Sequence, residues 1–99
     1  MPQIVYSPNA LSNLERLFQF LADKNSDAAQ RAIHTIHARI KTLSRFPKLG
    51  RVDPELPDYR ELFIVFGATG YVARYRSDGT LIVILAIRHM REAGYIVED

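Results

Sequence analysis

The spacing of hydrophobic residues changes along this 99-residue chain, from a helical period to an alternating one. After a short β-rich stretch at residues 3–6, apolar residues recur every three or four positions to about residue 44, which predicts two helices. From residue 59 onward, three segments rich in Ile, Val, Phe and Tyr predict strands. The chain is therefore expected to form one domain over residues 1–99. Its predicted fold is α+β in the order β-α-α-β-β-β, with an N-terminal strand and an antiparallel helical hairpin packed on a mainly antiparallel sheet.

Capping residues mark the ends of the predicted helices. Ser7 can accept a hydrogen bond from a free backbone N–H, and Pro8 at the first helical position gives up no needed donor. The short break at residues 24–26 supplies the next cap and predicts a tight hairpin. Pro47 ends the second helix because proline disfavours helical geometry in the residue before it. Residues 47–58 hold three of the five prolines and are predicted to form a loop.

Alternation along the three predicted strands divides their side chains between two faces. A turn at Asp78-Gly79 and a four-residue loop at 67–70 would place Arg76 opposite Leu81 and Phe66 opposite Tyr71. One predicted face then carries Leu62, Ile64, Phe66, Tyr71, Ala73, Tyr75, Ile82, Ile84 and Ala86. The other carries Phe63, Val65, Val72, Leu81, Val83, Leu85 and Ile87, together with Glu61, Arg74 and Arg76. Because two helices cover only one face, we expect a second chain to cover the other.

Composition and charge narrow the class of protein. With 47% hydrophobic residues, 24% charged residues and no cysteine, the chain is neither disordered nor held by disulfides or thiolate-bound zinc. Its longest apolar run, residues 81–87, is far shorter than the ~20 residues of a membrane span, and we expect a cytoplasmic protein without membrane contact. Residues 39–91 carry ten Lys or Arg and five acids, against a whole-chain net charge of +2. This uneven charge favours nucleic acid or an acidic protein as a partner, although solvated surface charges explain it equally well.

Few residues of the sequence suggest a catalytic or metal-binding role. The sequence contains no nucleotide-binding glycine loop, metal-ligand cluster or Ser-His-Asp arrangement, and we expect no cofactor and no metal. His34 and His37 are better explained as surface residues of the second helix. The informative stretch is Arg88-His89-Met90-Arg91-Glu92-Ala93-Gly94-Tyr95, where guanidinium groups, an imidazole and a phenol follow the last strand. These groups could cleave a phosphodiester by acid–base catalysis, or an Arg88–Glu92 ion pair could simply anchor the C-terminal tail.

Several short motifs, in this order and spacing, resemble the RelE/ParE superfamily of bacterial toxins over nearly the whole chain. They are Phe46-Pro47-Lys48-Leu49-Gly50-Arg51, Tyr59-Arg60-Glu61-Leu62, Gly70-Tyr71-Val72-Ala73-Arg74-Tyr75-Arg76 and Ile84-Leu85-Ala86-Ile87-Arg88-His89. The resemblance implies a toxin bound by a cognate antitoxin in a hetero-oligomer. The candidate residues for antitoxin binding are the predicted uncovered ones, Phe63, Val65, Val72, Leu81, Val83 and Leu85.

The superfamily divides by target. RelE-like members cut messenger RNA on the ribosome, and for that activity the candidate catalytic residues are Arg74, Arg88, His89, Arg91 and Tyr95. The chain departs from the RelE pattern, since Val72 follows Tyr71 where an arginine is common, and Met90 follows His89 where some nucleases have tyrosine.

The resemblance therefore favours the ParE-like branch, which implies a non-enzymatic poison of DNA gyrase. Candidate target-binding residues are Arg74, Arg76, Arg88, His89, Arg91 and Glu92. The ribosome-dependent nuclease is the alternative, and a non-toxic basic nucleic-acid-binding module is the third hypothesis.

Overall fold

A computed structural model describes residues 1–98 and confirms the α+β fold. Its elements are β1 (Gln3–Tyr6), α1 (Pro8–Ala22), α2 (Ser26–Lys41), a 3₁₀ turn (Thr42–Ser44), β2 (Arg51–Val52), β3 (Arg60–Phe66), β4 (Thr69–Ser77) and β5 (Leu81–His89). The strands form one sheet in the order β1-β5-β4-β3-β2. β1 runs parallel to β5, and all other neighbouring pairs are antiparallel.

Side-chain caps start both helices, as the sequence predicts. The Ser7 hydroxyl accepts a hydrogen bond from the Ala10 N–H at 3.0 Å, with Pro8 as the first residue of α1. The Asn25 side-chain oxygen accepts from the Ala28 N–H at 3.0 Å and starts α2. Each bond satisfies a backbone donor that the helix itself leaves free.

The hydrophobic core lies between the two helices and one face of the sheet. Apolar residues of α1 and α2 at helical spacing pack against alternate residues of β3, β4 and β5. Tyr75, on the central strand β4, is completely buried in this core. The opposite face of these strands, which we call the outer face, has no helix against it in the described chain.

The predicted register was wrong by two residues in both hairpins, for reasons that lie in the turns. Gly67 adopts φ 62°, which allows a two-residue turn and places Phe66 opposite Thr69. In the second hairpin the Asp78 carboxylate accepts hydrogen bonds from two backbone N–H groups, those of Thr80 and Leu81, and widens the turn. A shift of two residues leaves each side chain on its predicted face, because strands have a period of two.

A β-bulge corrects the predicted faces at the end of β5. Tyr75 lies opposite Ile84 and Arg74 lies opposite Ala86, so that Leu85 is an extra residue on β5. Strict alternation had placed Ala86 toward the helices and Ile87 on the outer face, and this was wrong. The bulge reverses the two residues, so that Ile87 joins the core beside Ala73.

The segment predicted to be an uninterrupted loop also contains a strand. β2 is only two residues long and pairs with Arg60 and Glu61 of β3. Two residues carry no detectable period, which explains why the sequence pattern gave no sign of it.

Candidate target-binding and partner-binding surfaces

The register of the sheet places most of the candidate residues on the outer face. Arg74 lies opposite Glu61 on β3 and Ala86 on β5, while Val72 lies opposite Phe63 and Arg88. Because these positions share one parity along their strands, their side chains emerge from the same side of the sheet. The outer face therefore brings two arginines of the predicted set together.

Tyr95 packs across these two arginines. Its ring centre lies 4.5 Å from the Arg74 guanidinium carbon and 5.2 Å from that of Arg88, within cation–π range of both. Its hydroxyl donates a 2.5 Å hydrogen bond to the Glu61 carboxylate. Burial, and then the hydrogen bond and charge of Glu61, raise the pKa of Tyr95 far above its usual value. A tyrosine hydroxyl is already protonated at neutral pH, and this shift makes Tyr95 a still weaker proton donor to a substrate.

Arg74 also forms an ion pair that fixes the loop after β2. Its guanidinium donates to the Asp53 carboxylate at 3.1 Å. Asp53 in turn accepts hydrogen bonds from the backbone N–H groups of Glu55 and Leu56. The bond from Glu55, then that from Leu56 and the charge of Arg74, lower the pKa of Asp53. Arg74 is therefore balanced by an acid of its own chain.

Arg88 holds the start of the tail through backbone oxygens. Its guanidinium donates to the carbonyls of His89, Met90 and Glu92 at 3.2, 3.3 and 3.0 Å. The carboxylate of Glu92 contacts Arg16 of α1 instead, at 3.2 Å. Arg88 thus anchors the tail, as the predicted Arg88–Glu92 pair would, but through the main chain of Glu92 and not through its side chain.

His89 lies away from the two arginines. It is opposite Tyr71, a core residue, and the two rings make an edge contact with centroids 5.4 Å apart. Its Nδ1 accepts a hydrogen bond from the Arg91 backbone N–H at 3.1 Å. The Arg91 side chain is exposed, as is that of Arg76. The five residues proposed for RNA cleavage are consequently divided, with Arg74, Arg88 and Tyr95 on the outer face and His89 on the other side of the sheet.

Asn13 of α1 holds the end of the tail, and the sequence gave no sign of this role. Its side chain is fully buried and accepts a 2.9 Å hydrogen bond from the Ile87 N–H. Its amide donates to the Ile96 carbonyl at 3.0 Å and to the Glu98 carboxylate. An asparagine on an amphipathic helix looks like an ordinary surface residue, and only the path of the tail over α1 reveals its function.

The candidate antitoxin-binding residues differ in exposure. Val65 is 74% exposed and Phe63 is 37% exposed on the outer face, whereas Val72 is only 1% exposed. Leu81, Val83 and Leu85 are half-buried. The free apolar surface of the outer face is therefore largest on β3, whose residues after Glu61 have no strand beside them on the β2 side in the described chain.

The two helix histidines do not lie in a group suited to bind metal. Both are exposed, and the Nδ1 of His37 is hydrogen-bonded to the Tyr6 hydroxyl at 2.8 Å. Across residues 1–98, no three His, Cys, Asp or Glu side chains come together as metal ligands would. None of the helices in that part of the chain has the length and apolarity needed to cross a membrane.

Comparison with known proteins identifies the family. The family model described as ParE toxin of type II toxin-antitoxin system, parDE, matches residues 4–94. The chain belongs to this ParE toxin family. Among named relatives, Toxin RelE3 of Caulobacter vibrioides is 37% identical over 92 residues, which are 93% of this chain and 98% of the relative. Toxin RelE1 of the same organism is 31% identical over 86 residues, covering 87% of this chain and 90% of the relative.

A solved structure supports the same fold for this ParE-family toxin. It is described as the chromosomal ParDE TA system from P. aeruginosa and superposes with a TM-score of 0.72 at 22% identity. The match covers 90% of this chain and 96% of the other. The chain is thus a toxin of a type II toxin–antitoxin system, and its family implies an antitoxin partner. The relatives are named after RelE and the family model after ParE, so the names leave the target open.

Proposed function

We propose that this ParE-family toxin acts in the cytoplasm by binding DNA gyrase and is neutralised by its cognate antitoxin in a hetero-oligomer. The observation that supports a binding mechanism is the placement of His89 on the opposite side of the sheet from Arg74 and Arg88. Acid–base cleavage requires a proton-transfer group within hydrogen-bond reach of the same substrate that the arginines hold. The position of His89 on the other side of the sheet counts against its sharing a substrate with Arg74 and Arg88.

The remaining groups of the outer face support the same proposal. Burial and Glu61 raise the pKa of Tyr95, which makes its hydroxyl a weaker acid than that of a free tyrosine. The Glu61 carboxylate accepts a hydrogen bond from the Tyr95 hydroxyl, and Arg74 forms an ion pair with Asp53. Because Arg74 and Tyr95 already face carboxylates of their own chain, this surface is better suited to recognise a protein than to stabilise the negative charge of a transition state.

A comparison of two activities tests the proposal. The purified toxin, separated from its antitoxin, is added to gyrase with relaxed plasmid and, in parallel, to ribosomes translating a defined message. We expect loss of supercoiling without cleavage of the message. Intact supercoiling together with message cleaved on the ribosome would reject gyrase and establish the nuclease.

Charge reversal then locates the target contact. Arg76→Glu and Arg91→Glu change exposed candidates, and Arg31→Glu changes an exposed arginine of α2 as a matched control. We expect the first two variants to inhibit gyrase at least about tenfold less well, since reversing an interfacial charge creates repulsion where there was attraction. Equal inhibition by all three variants would exclude these positions from the contact.

A further inference from the structure

A groove at one end of the sheet is not explained by the core or by the outer face. It lies where the segment before β2 meets the turn between β4 and β5, and it has a volume of about 760 Å³. We call it the end groove and define it by its main lining residues, which are Phe46, Pro47, Lys48, Leu49, Pro57 and Arg60.

Hydrogen bonds from the sheet hold the backbone of residues 47–50, which forms one wall of the end groove. The buried Tyr75 hydroxyl donates to the Pro47 carbonyl at 2.7 Å and accepts from the Gly50 N–H at 2.8 Å. The Arg60 guanidinium donates to the carbonyls of Lys48 and Gly50 at 3.3 and 2.8 Å. A side chain at Gly50 would lie only 2.6 Å from the Tyr75 ring, so that the close approach requires glycine. The segment is therefore ordered before any partner binds.

This ordered segment presents large apolar side chains to water. Phe46 is 59% exposed and Leu49 is 43% exposed. Exposed apolar groups contribute little to the stability of the free protein, because their area is not removed from water. A preformed wall with aromatic and aliphatic anchors is typical of a protein-binding surface, since little ordering entropy remains to be lost on binding.

The charge of the end groove indicates the chemistry of its partner. Lys48 and Arg60 line it and Arg45 precedes Phe46, and none of these three forms an ion pair with a carboxylate in residues 1–98. Asp58 is the acid among the lining residues. The excess of cations favours a partner that carries acidic residues beside apolar ones.

We propose that the end groove is a docking site for an apolar and acidic segment of the antitoxin. The groove lies at Ser77, whereas His89 pairs with Tyr71 at the other end of β4, roughly 20 Å away at the usual rise per strand residue. The target candidate nearest to the groove, Arg76, extends from the outer face, on the opposite side of the sheet from Arg60. Resting on the proposed function, with target contacts on the outer face and at Arg88 to Glu92, this arrangement predicts that antitoxin binding and toxicity can be lost independently.

Two phenylalanines provide a matched test. Phe46 is 59% exposed in the groove and Phe20 is 61% exposed on α1. Affinity for the purified product of the neighbouring antitoxin gene is measured by calorimetry for wild type, Phe46→Ala and Phe20→Ala. We expect Phe46→Ala to raise the dissociation constant about 30-fold or more, as for an interface hot spot. Phe20→Ala should change it less than about threefold. Thermal unfolding and gyrase inhibition should be the same in both variants.

The possible outcomes separate this inference from the proposed function. The inference is supported if the Phe46→Ala variant still inhibits gyrase but binds the antitoxin more weakly. Unchanged antitoxin affinity overturns it, and so does an equal loss in both variants. Loss of gyrase inhibition with full antitoxin affinity also overturns it, because the groove would then serve the target. A wild-type toxin that leaves gyrase untouched contradicts the proposed function alone, since antitoxin affinity is measured without gyrase.

Discussion

At the scale of single residues, the buried side-chain amide of Asn13 makes a hydrogen bond to β5 that a neighbouring strand would otherwise make. β1 pairs with β5 only over Leu81 to Ile84, and the rest of that edge of β5 lies beside α1. The Ile87 N–H on that edge would be unpaired without the Asn13 side-chain oxygen. An unpaired buried backbone donor is destabilising, so the position requires a side chain that both accepts and donates.

Replacing Asn13 should destabilise the protein more than the loss of one small side chain would, because a buried hydrogen bond is lost with it. Asn13→Ala leaves the buried Ile87 N–H without its acceptor, and an unsatisfied buried group costs about 1–3 kcal/mol. The substitution also removes the hydrogen bond from Asn13 to the Ile96 carbonyl of the tail. Chemical denaturation should show this loss in the free energy of unfolding, and hydrogen exchange at Ile87 should accelerate. Gln19→Ala, at an exposed position of α1, serves as the control and should change stability by less than about 0.5 kcal/mol. Equal stability of the two variants would contradict the role assigned to Asn13.

The buried tyrosines make stability depend on alkaline pH. Burial raises the pKa of Tyr6 to about 12, above the ordinary value of 10.0 expected in the unfolded chain. The unfolded state therefore loses its proton first as the pH rises, and the stabilisation present below pH 10 is lost progressively between pH 10 and 12. Tyr71, Tyr75 and Tyr95 shift in the same direction.

Denaturation measured from pH 8 to pH 12 should show the free energy of unfolding falling above pH 10. Tyr6→Phe removes one of the groups that titrate, and the decline should become shallower while the remaining tyrosines preserve part of it. A free energy that stays constant up to pH 12 would show that these hydroxyls are as accessible in the folded protein as in the unfolded one.

At the scale of the elements, local sequence signals were sufficient to predict where the helices begin. They were insufficient to predict which face each residue takes at the ends of the strands. Ser7 and Asn25 start the helices through bonds to residues three positions later. The sequence indicates Ser7 directly and limits the second cap to Asn25 or Ser26. The bulge at Leu85 depends on how two strands meet, so alternation alone reversed Ala86 and Ile87. The place of Tyr95 over Arg74 and Arg88 depends on the course of the tail. The candidate list therefore named three side chains that the outer face brings together, but it did not show that His89 lies apart from them.

The β3–β4 hairpin offers a test of close strand approach. A methyl group at Gly70 would lie 2.1 Å from the Ile64 carbonyl oxygen, which is backbone and cannot turn away. We expect Gly70→Ala to destabilise the protein by about 1–3 kcal/mol or more through strain in the sheet. At Gly94 no atom lies within 4 Å of an added methyl group. Gly94→Ala should therefore be neutral or slightly stabilising, by up to about 1 kcal/mol. Thermal unfolding of the two variants checks this, and a stable Gly70→Ala would refute the packing.

At the scale of the whole molecule, the positive charge of residues 39–91 is divided among different surfaces. Arg74 and Arg88 lie on the outer face with Asp53 or Tyr95 against them, whereas Lys48 and Arg60 lie at the end groove. Arg39 extends from α2 to the Phe63 carbonyl. A nucleic acid duplex contacts one side of a small protein, so it cannot use all of these cations together.

This distribution predicts weak binding to nucleic acid with a shallow salt dependence. Each neutralised phosphate contributes about −0.9 to the slope of log K against log salt on duplex DNA, and about three contacts would give a slope near −2.7. Fluorescence anisotropy with a random-sequence duplex measures this slope. The salt range is roughly 50 to 200 mM, over which strong phosphate binders lose most of their affinity. A slope steeper than about −5 would require six or more simultaneous phosphate contacts and would favour the basic nucleic-acid-binding module. A shallow slope leaves protein partners as the explanation of the uneven charge, since an acidic segment needs only a few adjacent cations such as those of the end groove.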